Sequence, residues 1–101
     1  LEALIEARNV GMIDFTLVDT REYMEFQMGH IVGTDKLVPT SQFYAKVEDE
    51  LADKKEEQII LYCHSGSRSF QVQHAMKSLG FQQIRNLRPG IIGFSGEMQR
   101  G

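Results

Sequence analysis

The chain is poor in several things, and each shortage excludes a class of function. It has one cysteine, Cys63, among 101 residues. An internal disulfide and a thiolate-rich metal site are therefore excluded, and no second thiol of this chain can resolve whatever forms on Cys63. Basic residues are outnumbered, 11 Lys and Arg against 14 Asp and Glu, for a net charge of −3. A nucleic-acid partner needs a basic surface and is not expected. No run approaches the ~20 apolar residues of a membrane span, and no basic-then-apolar signal segment opens the chain. A cytoplasmic setting is the expectation, with removal of a leader left open because the chain begins at Leu1 rather than Met. Internal repeats and low-complexity tracts are absent.

What is present is ordinary globular composition, 42% hydrophobic and 25% charged, at a length that suits a single domain over 1–101. Apolar spacing predicts a helix over 1–8, stopped near Gly11. "FTLVD" (15–19) reads as a buried strand and "REYMEFQM" as a short helix closed by Gly29. "DKLVP" reads as a strand ended by Pro39. Phe43, Val47 and Leu51 recur every four residues and predict an amphipathic helix over 40–57, opened by Thr and Ser caps. "QIILYC" (58–63) is a continuous apolar run of strand length, the pattern of a central parallel strand buried on both faces. Val72, Ala75, Met76 and Leu79 form one stripe of a helix over 67–80, capped by Gly80. "QIRNL" (83–87) is a further strand, "RPG" a turn and "IIGFSGEMQ" a last weak helix. Alternating strands and helices imply an α/β fold with a central, mainly parallel sheet of about five strands between helical layers. In such sheets ligands bind beyond the carboxyl ends of the strands, where Cys63 and Asp19 both fall.

The stretch "YCHSGSRS" (62–69) carries the chemistry. It joins a strand to a helix whose first N–H groups have no intrahelical partners and point outward with the positive end of the dipole. A tight loop bending into that end aims several N–H groups at one point, an anion nest. Gly66 gives the bend its freedom. His64 faces solvent within reach of substrate, Ser65 and Ser67 add hydroxyl donors, and Arg68 adds a fixed cation. A thiol in that cradle is expected to ionise below the ordinary cysteine value. The alternative is a small buried hydrophobe, as many free cysteines are.

"YCHSGSRS" resembles the active-site loop of rhodanese-homology domains, the sulfurtransferases. "LVDTREYMEFQMGHIVGT" (17–34) is similar to that family's other signature, through Asp19, Arg21, Glu25, Phe26, Gly29, His30, Ile31 and Gly33. "LRPGIIGF" resembles its C-terminal Gly-rich turn. Val32 stands where the family often has proline, and Pro89–Gly90 and Phe94 stand where a Gly-Gly turn and a tryptophan are usual. The resemblance implies a rhodanese-like three-layer α/β/α fold. It also implies sulfane-sulfur transfer through a Cys63 persulfide, from thiosulfate or a persulfide to cyanide, an external thiol or a partner protein. No metal or organic cofactor is implied. A sulfur carrier or regulatory module with little turnover is the alternative. The same fold family includes phosphatases with five residues between Cys and Arg; the four here, between Cys63 and Arg68, favour sulfur.

Among the remaining polar residues, Asp19 is expected to cap the helix that follows it and pair with Arg21, since a carboxylate beside the thiolate would oppose its ionisation. Arg21 and Glu25, four apart, read as an ion pair. His30 could partner Cys63, though the resemblance makes it architectural. Arg88 is expected near the active loop, His74 on an exposed face, and the charge run over 48–57 on a solvated helix end. The five methionines read as core filler.

Overall fold

A computed structural model describes residues 1–101. Its order is α1 (Glu2–Asn9), β1 (Thr16–Asp19), α2 (Tyr23–Met28), β2 (His30–Ile31), β3 (Lys36–Leu37), α3 (Phe43–Leu51), β4 (Gln58–Tyr62), α4 (Ser67–Ser78), β5 (Gln83–Asn86) and β6 (Met98–Gln99). The central sheet has four parallel strands in the order β3-β1-β4-β5. β2 and β6 form a separate antiparallel pair.

The apolar run of β4 is buried on both faces, and its period-two alternation divides the core. Ile59 and Leu61, with Val18 of β1, face a cluster of 11 buried residues that includes Phe43, Val47 and Leu51 of α3 and Val72 and Met76 of α4. Ile60 and Tyr62, with Leu17 of β1, face a smaller cluster with Phe15 and Ile31, covered by Leu1, Leu4 and Ile5 at α1 and by Leu87, Ile91 and Phe94. Apolar layers on both faces make the α/β/α sandwich expected from the alternation of elements. The α3/α4 face holds the larger share of the core, so most of the hydrophobic stabilisation lies there.

Three expectations need correction. The helix over 40–57 is broken into 3-10 turns at Thr40–Gln42 and Ala52–Lys54 around α3, although its Phe43–Val47–Leu51 stripe is buried as the spacing predicts. The last segment is not a helix. It is a 3-10 turn at Ile91–Gly93 followed by β6, because glycines at 93 and 96 weaken helix propagation while Val32 N–H donates to Glu97 O (3.0 Å) and draws the chain alongside β2. Of the methionines only Met76 is core; Met12, Met24, Met28 and Met98 are exposed, Met24 and Met28 together on the outer face of α2.

β1 and β4 run side by side, Asp19 opposite Tyr62, so their carboxyl ends reach the same sheet edge. Thr20 seals that edge, its N–H and hydroxyl both donating to Tyr62 O (2.9 and 3.0 Å).

Candidate active site

Cys63 leaves β4 one residue beyond its last paired position, and the chain turns at once into α4. Gly66 makes the turn possible. It has φ +99°, and a Cβ there would also collide with the backbone of Arg88. Both facts require glycine. The C-terminal turn grips the loop from the other side. Ile91 N–H donates to Cys63 O (2.8 Å) and Ile92 N–H to His64 O (3.2 Å). Gly90 (φ +65°) lies so close that a Cβ would strike His64 O and Ser65 N. The expected approach of Arg88 is thus real but runs through its backbone; its side chain is exposed.

The thiol is the focus of the loop. Cys63 Sγ accepts a hydrogen bond from Gly66 N–H (3.0 Å) and lies 3.4 Å from the Ser69 hydroxyl. Burial pushes the thiol pKa up. The Ser69 hydroxyl and the N–H groups of Ser69, Gly66 and Ser65 outweigh it, and the net direction is down, as expected for a helix N-terminus. Ser69, fully buried, also reaches Gly66 O (3.2 Å) and Asn86 Oδ1, while Asn86 Nδ2 donates to Gly66 O (3.2 Å). A hydroxyl has one proton, so Cys63, Gly66 O and Asn86 compete for it. The residue Cys63 is 0% exposed, so its sulfur lies beneath the loop surface.

Ser65 and Ser67 are exposed and His64 faces solvent. Ser65 contributes its backbone N–H rather than its hydroxyl. Arg68 differs most from expectation. Its guanidinium is committed to Glu25 of α2 in a two-pronged ion pair, Nη1 to Oε1 at 2.7 Å and Nη2 to Oε2 at 2.9 Å. Glu25 is therefore not the partner of Arg21. Arg68 holds the Glu25 carboxyl down at about 2, against the opposing effect of burial.

Arg21 pairs with Asp19, as expected. Both are buried, with Arg21 Nη2 to Asp19 Oδ2 at 2.7 Å, Nε to Oδ1 at 3.0 Å, and Nη2 continuing to Gly29 O at 2.7 Å. Asp19 accepts from Arg21 N–H (2.8 Å) but does not cap the helix; Glu22 occupies the N-cap, and Glu25 accepts from Glu22 N–H (3.0 Å) as the third residue of a capping box. His30 stacks on Phe26 at 3.7 Å, and its two nitrogens are taken up by Phe26 O and Gln99 Nε2 (3.0 Å each). It locks β2 to β6 and has no contact with the thiol, in keeping with an architectural role. No group of three or more His, Cys, Asp or Glu is arranged to hold a metal.

Ser69, Asn86, the close approach of Gly90 to the loop and Glu25 as partner of Arg68 escape a reading of the sequence. Ser69 alone carried a signal: it lies three residues after Gly66, on the first turn of the helix that the loop enters.

The fold and loop now have a counterpart among known proteins. Residues 1–97 match the family model described as Rhodanese-like domain. The chain belongs to this family. It is 32% identical over 90 residues to the uncharacterized protein YibN of Escherichia coli K12, covering 89% of this chain and 62% of YibN. It is 31% identical over 88 residues to the tRNA uridine(34) hydroxylase of Legionella pneumophila, covering 84% of this chain and 34% of that enzyme. The rhodanese-like chain thus spans less than two thirds of the length of these relatives. In structure it resembles a thiosulfate sulfurtransferase from Pseudomonas aeruginosa, with a TM-score of 0.82 over 95% of this chain and 18% of that one at 21% identity. That similarity speaks to the fold alone.

Proposed function

We propose that this rhodanese-like chain is a sulfurtransferase that carries sulfane sulfur on Cys63. The observation that carries the reading is the convergence of backbone N–H donors on Cys63 Sγ at the start of α4, which favours a thiolate and then an anionic persulfide at that point. The thiolate attacks the outer sulfur of thiosulfate. An S–S bond forms to Cys63, the original S–S bond breaks, and sulfite leaves with the electron pair, so three negative charges enter and three leave. The loop N–H groups then face the terminal sulfur of the persulfide. An external nucleophile, such as cyanide or a thiol, takes that sulfur and regenerates the thiolate in a ping-pong cycle. With one cysteine in the chain, the acceptor comes from outside. A partner protein is one such acceptor.

The complete burial of Cys63 favours a second reading, a sulfur carrier that shelters its persulfide until a partner opens the loop. One experiment separates the two. The protein and Cys63→Ser are treated with thiosulfate, then cyanide, with thiocyanate and intact mass followed together. Cys63-dependent gain of one sulfur with continuous thiocyanate production supports the enzyme. Gain without turnover supports the carrier. No gain, with hydrolysis of an aryl phosphate, overturns both.

A further inference from the structure

We propose that Glu25 is a specificity-determining residue: by holding Arg68 in a two-pronged ion pair at the mouth of the Cys63 loop, it masks that cation and biases the site toward sulfur donors carrying one negative charge over dianions such as thiosulfate. The inference rests on the sulfurtransferase reading for its substrates but on geometry for its mechanism. Arg68 is the second residue of α4, and it lies near enough to Cys63 for the thiolate to favour its charged form. Left free, its guanidinium would be the fixed charge best placed to meet an incoming anion. Both of its outer nitrogens are instead spent on Glu25, at 2.7 and 2.9 Å. Beyond their separation the two charges largely offset each other, leaving a dipole whose field falls off faster with distance than that of a lone cation. A donor then meets the backbone N–H groups, which attract a compact anion without rewarding a second charge.

Glu25 is held in this position by the fold. The same carboxylate closes the start of α2 through Glu22 N–H (3.0 Å), so α2 delivers it to the loop as part of its own capping. This also provides a clean substitution. Gln is accepted at the third position of a capping box, so Glu25→Gln keeps an acceptor for Glu22 N–H and Arg68 Nη1, removes the negative charge, and puts an amide NH2 in place of the oxygen that accepts from Arg68 Nη2. A unit charge roughly 7 Å from a dianion in near-aqueous surroundings changes its binding by about five- to tenfold, and a monoanion by about two- to threefold.

The test compares wild type and Glu25→Gln with two donors, thiosulfate (dianion) and benzenethiosulfonate (monoanion), each with cyanide as acceptor. In parallel, Cys63 is alkylated with iodoacetate (anion) and iodoacetamide (neutral). Any movement that opens the loop affects both alkylating agents alike and cancels in their ratio. Glu25→Gln is expected to raise kcat/KM for thiosulfate about five- to tenfold and for benzenethiosulfonate about two- to threefold, with kcat little changed. It is also expected to raise the iodoacetate-to-iodoacetamide rate ratio about two- to threefold. An unchanged alkylation ratio in a variant that melts cooperatively overturns the masking. Transfer that rises equally for both donors overturns the specificity role. Should neither protein accept sulfur, the sulfurtransferase reading falls, and the alkylation ratio alone decides whether Glu25 masks Arg68. Wild type supplies a check independent of the variant's folding. A masked cation leaves the thiosulfate preference changing less than about twofold between low and high salt, whereas a steep fall with salt shows that Arg68 is free and overturns the inference.

Discussion

Gly66→Ala tests the construction of the loop most directly. Two costs can be read from the structure. At φ +99° an L-residue sits in sparsely populated space, worth about 1–3 kcal/mol. The new methyl would also meet the backbone of Arg88, whose carbonyl carbon lies 2.8 Å from the Cβ position, and backbone cannot swing aside as a flexible side chain can. Forcing such an overlap costs a further ~1–3 kcal/mol. Together they remove about 2–6 kcal/mol from a domain whose total stability is of order 5–15 kcal/mol. At about 4–8 °C per kcal/mol for this size, the melting temperature falls by roughly 10–50 °C. The same distortion carries the Gly66 N–H away from Cys63 Sγ, which it now meets at 3.0 Å, so the thiol pKa rises. Thermal melting followed by circular dichroism, and the pH dependence of iodoacetamide alkylation below the melting transition, read the two effects separately. An alanine variant that melts within 3 °C of wild type, with an unmoved alkylation midpoint, would refute the claim that the Gly66–Arg88 contact shapes the site.

Other elements make their own predictions. Asp19→Asn strands the buried Arg21 guanidinium and is expected to cost about 3–5 kcal/mol in chemical denaturation; a loss below 1 kcal/mol shows that the pair contributes little beyond its geometry. The Glu25 carboxyl is held at about 2 in the folded chain, below its unfolded value, so its contribution is present above about pH 4.5 and is lost as pH falls toward 2. Glu25→Gln should therefore flatten the acid limb of stability over that window, by well under the full shift because the pair is partly solvated; identical acid limbs count against it. Burial pushes the Tyr62 phenol up to about 12, beyond its unfolded value near 10. Its contribution to stability is intact below about pH 10 and fades as pH rises toward 12. Alkaline absorbance should show one of the three tyrosines titrating only near pH 12 while the chain remains folded; three equivalent groups near pH 10 refute this.

How much of this was legible in the sequence depended on the range of the forces involved. The β4 strand, the α3 and α4 stripes and the loop at Cys63 rest on local patterning, and each lies where periodicity and glycine placement put it. The C-terminal segment did not yield. Its fate was set by an edge 65 residues away in sequence, where Val32 N–H meets Glu97 O. One ion pair was misassigned for a related reason. Asp19 pairs with Arg21 as expected, but spacing four apart also joined Arg21 to Glu25, and the desolvated Asp19 is the only carboxylate that takes the guanidinium. That released Glu25 for Arg68, 43 residues on. Local spacing favours an i,i+4 pair by only a few tenths of a kcal/mol, too little to compete with satisfying a buried carboxylate.

The exchange of partners changes where the charge of the site comes from. Read locally, "CHSGSR" places a cation five residues from the thiol and suggests that the arginine draws the anion. In the folded chain the arginine is neutralised at the mouth, and the attraction near the sulfur comes from N–H groups fixed by Gly66 and gripped through Arg88, Gly90, Ile91 and Ile92. A flexible arginine must be ordered by each donor that binds it, at the cost of side-chain entropy. Backbone N–H groups locked by two glycines are ordered once, on folding, and are already in place for negative charge at Cys63. The C-terminal turn, where the chain departs from the usual family pattern, is therefore part of the device that positions the Cys63 loop. The conservative change Pro89→Ala tests that step. If the turn acts through loop geometry, the Cys63 alkylation midpoint moves upward in pH while the melting temperature changes little. A melting change with an unmoved midpoint would confine the turn to packing.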